Sequence, residues 1–146
     1  MAKFVFQMES MLRLKSRIED QKKQEFAKAL QRVEEEKAVL EKFFRDKSDA
    51  INKLKGDINI RISPIDFGLT NRYIEFTKEK IVIQKGVIIK VEQLLEQARL
   101  ELVEATKERK MLDKLKEKKF EEYIDEEKKQ EQKMVDEIVS YKYSKA

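Results

Sequence analysis

From Phe26 onward, one class of position recurs at alternating steps of four and three: Phe26, Leu30, Val33, Lys37, Leu40, Phe44, Lys47, Ile51, Leu54 and Ile58. Eight of the ten are apolar, which is the narrow stripe by which one helix pairs with another over several turns. Upstream, Met11, Leu14 and Ile18 carry a similar stripe. Joining it to Phe26 takes steps of four through Lys22, a stutter that locally relaxes the supercoil. A second seam runs through Ile74, Thr77, Ile81, Gln84, Ile88, Val91, Leu95, Ala98, Leu102, Ala105, Arg109 and Leu112, nine of them apolar. Within it the β-branched run Ile81 to Val91 has strand propensity, but no turn signal bounds it, and the longer period makes it helical.

Between the seams lies the irregular stretch Gly56 to Leu69, with two of the three glycines and the sole proline. The chain turns back there. Ser63 ahead of Pro64, with Asp66 three positions after Ser63, reads as a helix start with proline in the first turn. Ile58, Ile60 and Ile62 alternate with polar residues, so a short strand over 58–62 is an alternative. A brief connection makes neighbouring helices run oppositely. The pattern therefore predicts an all-α protein, an antiparallel two-helix coiled-coil hairpin forming a single domain over 1–146. Helix 1 is expected over about 5–56, the turn over about 57–63 and a longer helix 2 over about 64–142.

If the turn centres near Arg61, Met1 falls opposite about Glu121. The second helix then outruns the first by roughly 25 residues, or about 38 Å. That overhang still carries Tyr123, Ile124, Met134, Val135, Ile138, Val139 and Tyr141. Met134, Ile138 and Tyr141 share one helical face. Contiguous apolar surface of this kind marks a partner site, the alternatives being fraying or pairing with a second copy.

Composition narrows the function. Asp, Glu, Lys and Arg make up 42% of the 146 residues, against a usual ~25%, so long solvated helices fit better than a thick globular core. His and Cys are absent, which removes the usual zinc ligands and the Cys-His and Ser-His nucleophile systems; no cofactor or metal is expected. Paired carboxylates such as Glu121-Glu122 lack the desolvated pocket that acid-base chemistry needs, and no phosphate-binding loop motif occurs. The reading is of a protein that is not an enzyme. The net charge is +4, but signs alternate along the chain, with 11 acids and 10 bases between Glu101 and Lys133. That is the pattern of a solvated helix and not of a nucleic-acid face. No stretch free of charge exceeds five residues, far short of the ~20 a bilayer crossing needs, and no signal peptide is indicated.

The opening Phe4-Val-Phe-Gln-Met-Glu-Ser-Met-Leu-Arg-Leu-Lys15, the run Glu108-Arg-Lys-Met-Leu-Asp-Lys-Leu-Lys-Glu-Lys-Lys119 and the ending Glu131-Gln-Lys-Met-Val-Asp-Glu-Ile138 resemble the flagellar FliJ family. The likeness extends over essentially the whole chain. It implies a stalk and adaptor of the flagellar type III protein export apparatus, cytoplasmic and peripheral at the inner face of the cell membrane. Such a protein docks the end carrying its termini in the ring of the hexameric export ATPase FliI, touches the export gate protein FlhA and binds export chaperones. By the same resemblance, ring contact falls on Gln132, Lys133, Met134, Asp136, Glu137 and Ile138, with Arg13 and Lys15 nearby. Gate contact falls on Tyr73, with Gln84 along the same face, and on Phe43. Phe43 and Phe44 point about 100° apart; the seam claims Phe44 and leaves Phe43 facing outward. Thr77 and Lys80 depart from the apolar residues expected beside Tyr73. A prefoldin-like holdase, supported by the 58–62 alternation, and a generic coiled-coil scaffold are the competing readings.

Overall fold

The computed structural model describes residues 3–145, apart from the side chain of Ile58. It consists of α1 (Glu9–Ile58) and α2 (Pro64–Ser144), with no strand among the described residues. The expected two-helix hairpin with a longer second helix is present. The 58–62 strand is not: α1 runs through to Ile58, and the chain turns over 59–60. Support for a prefoldin-like hairpin goes with it.

The turn is built as its residues dictate. The amide of Asp66 donates to Ser63 Oγ at 3.1 Å, and the Phe67 amide donates to the Ser63 carbonyl at 3.0 Å. Ser63 thus caps α2 while Pro64, which has no amide proton to satisfy, occupies the first helical position. Arg61 takes a φ of 94°, a left-handed conformation that side chains rarely adopt.

The chain divides into two compact units, one formed by residues 22–102 and the other by 1–21 with 103–146. In the first unit the α2 seam is as expected: Ile74, Thr77, Ile81, Gln84, Ile88 and Val91 are all buried. The α1 seam is shifted at every second position between Phe26 and Lys47, while Ile51 and Leu54 beyond it are half-buried as expected. Phe26, Val33, Leu40 and Lys47 are wholly or partly covered, but Leu30, Lys37 and Phe44 are exposed, whereas Ala29, Glu36 and Phe43 are covered instead. The reason lies across the interface. Gln84, a polar residue at a seam position, donates to the Glu36 carbonyl at 2.9 Å and to the Glu36 carboxylate, so that its buried amide is satisfied. Thr77 is likewise satisfied by donating to the Tyr73 carbonyl at 2.8 Å. Phe43 lies under Lys80, whose Nζ is 5.5 Å from its ring centroid. Ion pairs between Lys22 and Glu101 at 3.1 Å and between Lys37 and Glu92 at 3.4 Å flank the seam. The hydrogen bond with Lys22 holds the Glu101 carboxyl below the usual glutamate range. The same bond, seconded by Glu25, raises the Lys22 ammonium.

In the second unit Met11 and Leu14 of the expected upstream stripe are exposed, whereas Leu12 and Ala105 are buried. Between them sits a buried acid: Glu19 is 4% exposed and accepts from Arg109 Nε at 2.8 Å. Arg109 also pairs with Asp113. Its guanidinium is held above its ordinary value first by Glu19, with Asp113 contributing less.

Candidate functional site

The end that carries the termini is built in three successive layers along α2. The first is the pairing of α1 with α2. Lys15 Nζ lies 2.8 Å from Glu108 and Lys116 Nζ 2.8 Å from Glu9, so α1 starts opposite Lys116.

The second layer is a non-helical strap. Residues 3–8 precede α1 and lie against α2 through Phe4, whose ring meets Phe120 edge-on at 5.2 Å and Tyr123 at 5.5 Å. Phe6 is buried. Its carbonyl accepts from the Glu9 amide at 3.1 Å, closing the chain into α1. Strap and helix border a half-open cleft of about 660 Å³ lined by Phe4, Phe6, Leu115, Tyr123 and Glu126. Sequence reasoning missed this strap. Its signal is the alternation of Phe4, Phe6 and Met8, a period of two inside a chain otherwise read for steps of three and four.

The third layer is uncovered helix. Every described residue from Lys128 to Lys145 is exposed, a run of about 27 Å at 1.5 Å per residue. α2 outruns α1 about as far as expected, since it runs from opposite Glu9 at Lys116 on to Ser144, but the uncovered run is shorter than roughly 25 residues. The Phe4 ring reaches past Glu121 to Tyr123, and Tyr123 and Ile124 are half-buried, so they do not belong to the free part; Met1 lies outside the described residues. Along the free run Met134 is 63% and Ile138 54% exposed, and Val135, Val139 and Tyr141 are exposed beside them. Met134, Glu137, Ile138, Tyr141 and Lys142 border one shallow groove. Gln132 donates to Asp136 at 3.1 Å.

Six of the expected ring-contact residues, Gln132, Lys133, Met134, Asp136, Glu137 and Ile138, therefore share one exposed segment. Arg13 and Lys15 are not beside it. Lys15 faces Glu108, which is 24 residues before Gln132 and so about 36 Å away along α2, and it is engaged there. Arg13 is exposed, with Nε 3.9 Å from Glu9.

Toward the turn, Tyr73 is exposed and borders a groove with Asp46, Asp49, Ala50, Lys53 and Leu69. Gln84 is not on that surface, since it is buried against Glu36. The outward orientation expected of Phe43 is also corrected. Phe43 is the more covered of the adjacent pair, and Phe44 is exposed under Lys85 at 5.6 Å.

Among the described residues no cluster of three or more acidic groups is arranged to hold a metal ion, and no helix is long and apolar enough to cross a membrane. The chemistry this surface offers is apolar side chains bracketed by both signs of charge, which suits recognition of another protein.

No curated protein matches the chain. A solved structure described as a YscO homolog, CT670, from Chlamydia trachomatis is similar to it with a TM-score of 0.50. The two are 20% identical, and the match covers 97% of this chain and 96% of the other, a likeness of fold. The family model described as Flagellar FliJ protein matches residues 4–146. A match across the paired helices, the strap and the free end alike settles the family: the chain belongs to the flagellar FliJ proteins.

Proposed function

We propose that the chain is a non-enzymatic stalk and adaptor of the flagellar type III export apparatus. Its free helical end docks in the ring of the hexameric export ATPase FliI, and its turn end contacts the export gate protein FlhA. The observation that carries this reading is the uncovered run from Lys128 to Lys145. A helix with that much charge gains nothing from showing Met134, Ile138 and Tyr141 to water; a ring that closes around it buries them. The charges beside them, Lys133, Asp136 and Glu137, set register, while the apolar residues supply contact area. Arg13 and Lys15, on α1 and set back from the free run, belong to the rim of such a contact, with Lys15 already engaged by Glu108.

At the other end, the exposed ring of Tyr73 is the leading candidate for the gate contact, because aromatic residues are enriched among interface hot spots. Phe43 stands at its edge, partly covered by Lys80. Gln84 contributes by holding the helices in register under that surface. Export chaperones are further partners on this reading, and the protein works in the cytoplasm, peripheral to the membrane through the proteins it binds.

The test is co-sedimentation with purified hexameric ATPase, comparing the intact chain with one ending at Glu127. The intact chain is expected to sediment with the ring and the shortened chain to remain free. Equal sedimentation of both would overturn the docking assignment.

A further inference from the structure

The side of α2 that α1 leaves open carries a second stripe with the same rhythm as the covered seam. Leu69, Tyr73, Phe76, Lys80, Ile83, Val87, Lys90 and Leu94 follow one another at alternating steps of four and three, about a third of a turn around the helix from the seam residues. Six of the eight are apolar. Ile83 is 68% exposed, and Leu69, Phe76 and Leu94 each show more than half of their surface. The stripe spans 26 residues, about 39 Å. The flank beyond it is unobstructed at Gly86, where an added Cβ would meet nothing within 4 Å.

We propose that this stripe is the docking track for an amphipathic helix of another protein, carrying carboxylates opposite Lys80 and Lys90. The occupant is a helix because a sustained rhythm of fours and threes matches knobs to holes only on another helix. It is not a second copy of this chain. Parallel pairing on the stripe sets Lys80 on Lys80 and Lys90 on Lys90, and antiparallel pairing about its centre brings the two Lys80 side chains within one turn of each other. Like charges at those distances disfavour both arrangements. Lys80, held over the Phe76 ring at 4.5 Å and toward Phe43, presents its charge in the floor of the track. Near the turn, the α1 wall offers Asp46 and Asp49 beside Leu69 and Tyr73, which take a lysine or arginine from the same incoming helix. The track shares Tyr73 and Lys80 with the gate surface, while Phe76, Ile83, Val87, Lys90 and Leu94 lie outside it.

Two designed helices of about 28 residues, labelled with fluorescein, test the assignment. Both carry leucines at steps of three and four; one has glutamate and the other lysine at the positions facing Lys80 and Lys90. In fluorescence anisotropy with the full chain, the glutamate helix is expected to bind at least ~10-fold more tightly, about 1.4 kcal/mol. Ile83→Glu should cost at least ~10-fold, Val82→Glu on the neighbouring face should leave binding intact, and the double change Lys80→Glu with Lys90→Glu should reverse the preference. If Ile83→Glu disturbs the helical circular dichroism, the charge reversal still decides. Equal binding of both helices, or indifference to Ile83→Glu in a folded chain, overturns the proposal. So does sedimentation of the chain as a dimer that Ile83→Glu dissociates. Tyr73 is untouched and no export component is present, so the result is independent of the gate reading.

Discussion

Arg109 Nε lies 2.8 Å from a Glu19 carboxylate that is 4% exposed, an ionic contact where the seam would otherwise place apolar side chains. Removing Glu19 takes away one of the two carboxylates that hold Arg109, leaving Asp113 alone, and empties a covered place in the seam. Glu19→Ala is therefore expected to lower the melting temperature clearly more than Glu96→Ala, which breaks only the exposed helix-surface pair with Arg99; exposed pairs of that kind contribute little. Thermal melts of the two variants side by side make the comparison. Equal losses would show that Glu19 is hydrated after all.

Burial on α2 predicts the cost of cutting into the seam. Ile81 is 6% exposed and the adjacent Val82 is 71% exposed. Ile81→Ala should cost about 2–5 kcal/mol, and Val82→Ala within about 0.5 kcal/mol. Urea unfolding followed by circular dichroism measures both.

The α2 seam was legible in the sequence down to its polar members: Ile74, Thr77, Ile81, Gln84, Ile88 and Val91 are buried at the positions its rhythm marks. Between Phe26 and Lys47 the α1 seam was legible only at every seventh residue. Phe26, Val33, Leu40 and Lys47 are common to two rhythms, one completed by Leu30, Lys37 and Phe44 and the other by Ala29, Glu36 and Phe43. Hydrophobicity favours the first. The structure uses the second, since Gln84 needs an acceptor and Glu36 supplies it, a relation between positions 48 apart that periodicity within one helix cannot carry. The uncovered tip was visible as surplus length, but its start was not, because the strap that covers Tyr123 has no helical period.

The strap should stabilise what it covers. Phe4 makes ring contacts with Phe120 and Tyr123, each worth about 0.5–1.5 kcal/mol beyond buried area. Phe4→Ala is expected to cost about 1–3 kcal/mol and to speed amide exchange over 115–126 while leaving 74–91 protected. Unchanged exchange at 115–126 would mean that the rings touch without holding the strap. Ending the chain at Glu127, by contrast, removes only exposed residues among those described and should leave the melting temperature in place.

Acid should act on the Lys22–Glu101 pair. The folded chain holds the Glu101 carboxyl low, chiefly through its hydrogen bond with Lys22, so its contribution is complete above the unfolded glutamate value of about 4.3 and is lost as pH falls through the lower folded value. At the basic end the sign reverses: Lys22 is raised, and its contribution is intact below about 10.4 and fades above that. Glu101→Gln should flatten the acid side of the melting-temperature profile between about pH 5 and 3, and an unaltered slope there would assign the acid sensitivity to other carboxylates.

The bend itself offers a handle for redesign. Arg61 holds a backbone shape in which glycine is at ease and a residue with a Cβ is not, at a cost of order 1–3 kcal/mol. None of the chain's three glycines is spent there. Arg61→Gly should relax that corner and raise stability, making a sturdier version of the protein available with Tyr73 and the uncovered run unaltered.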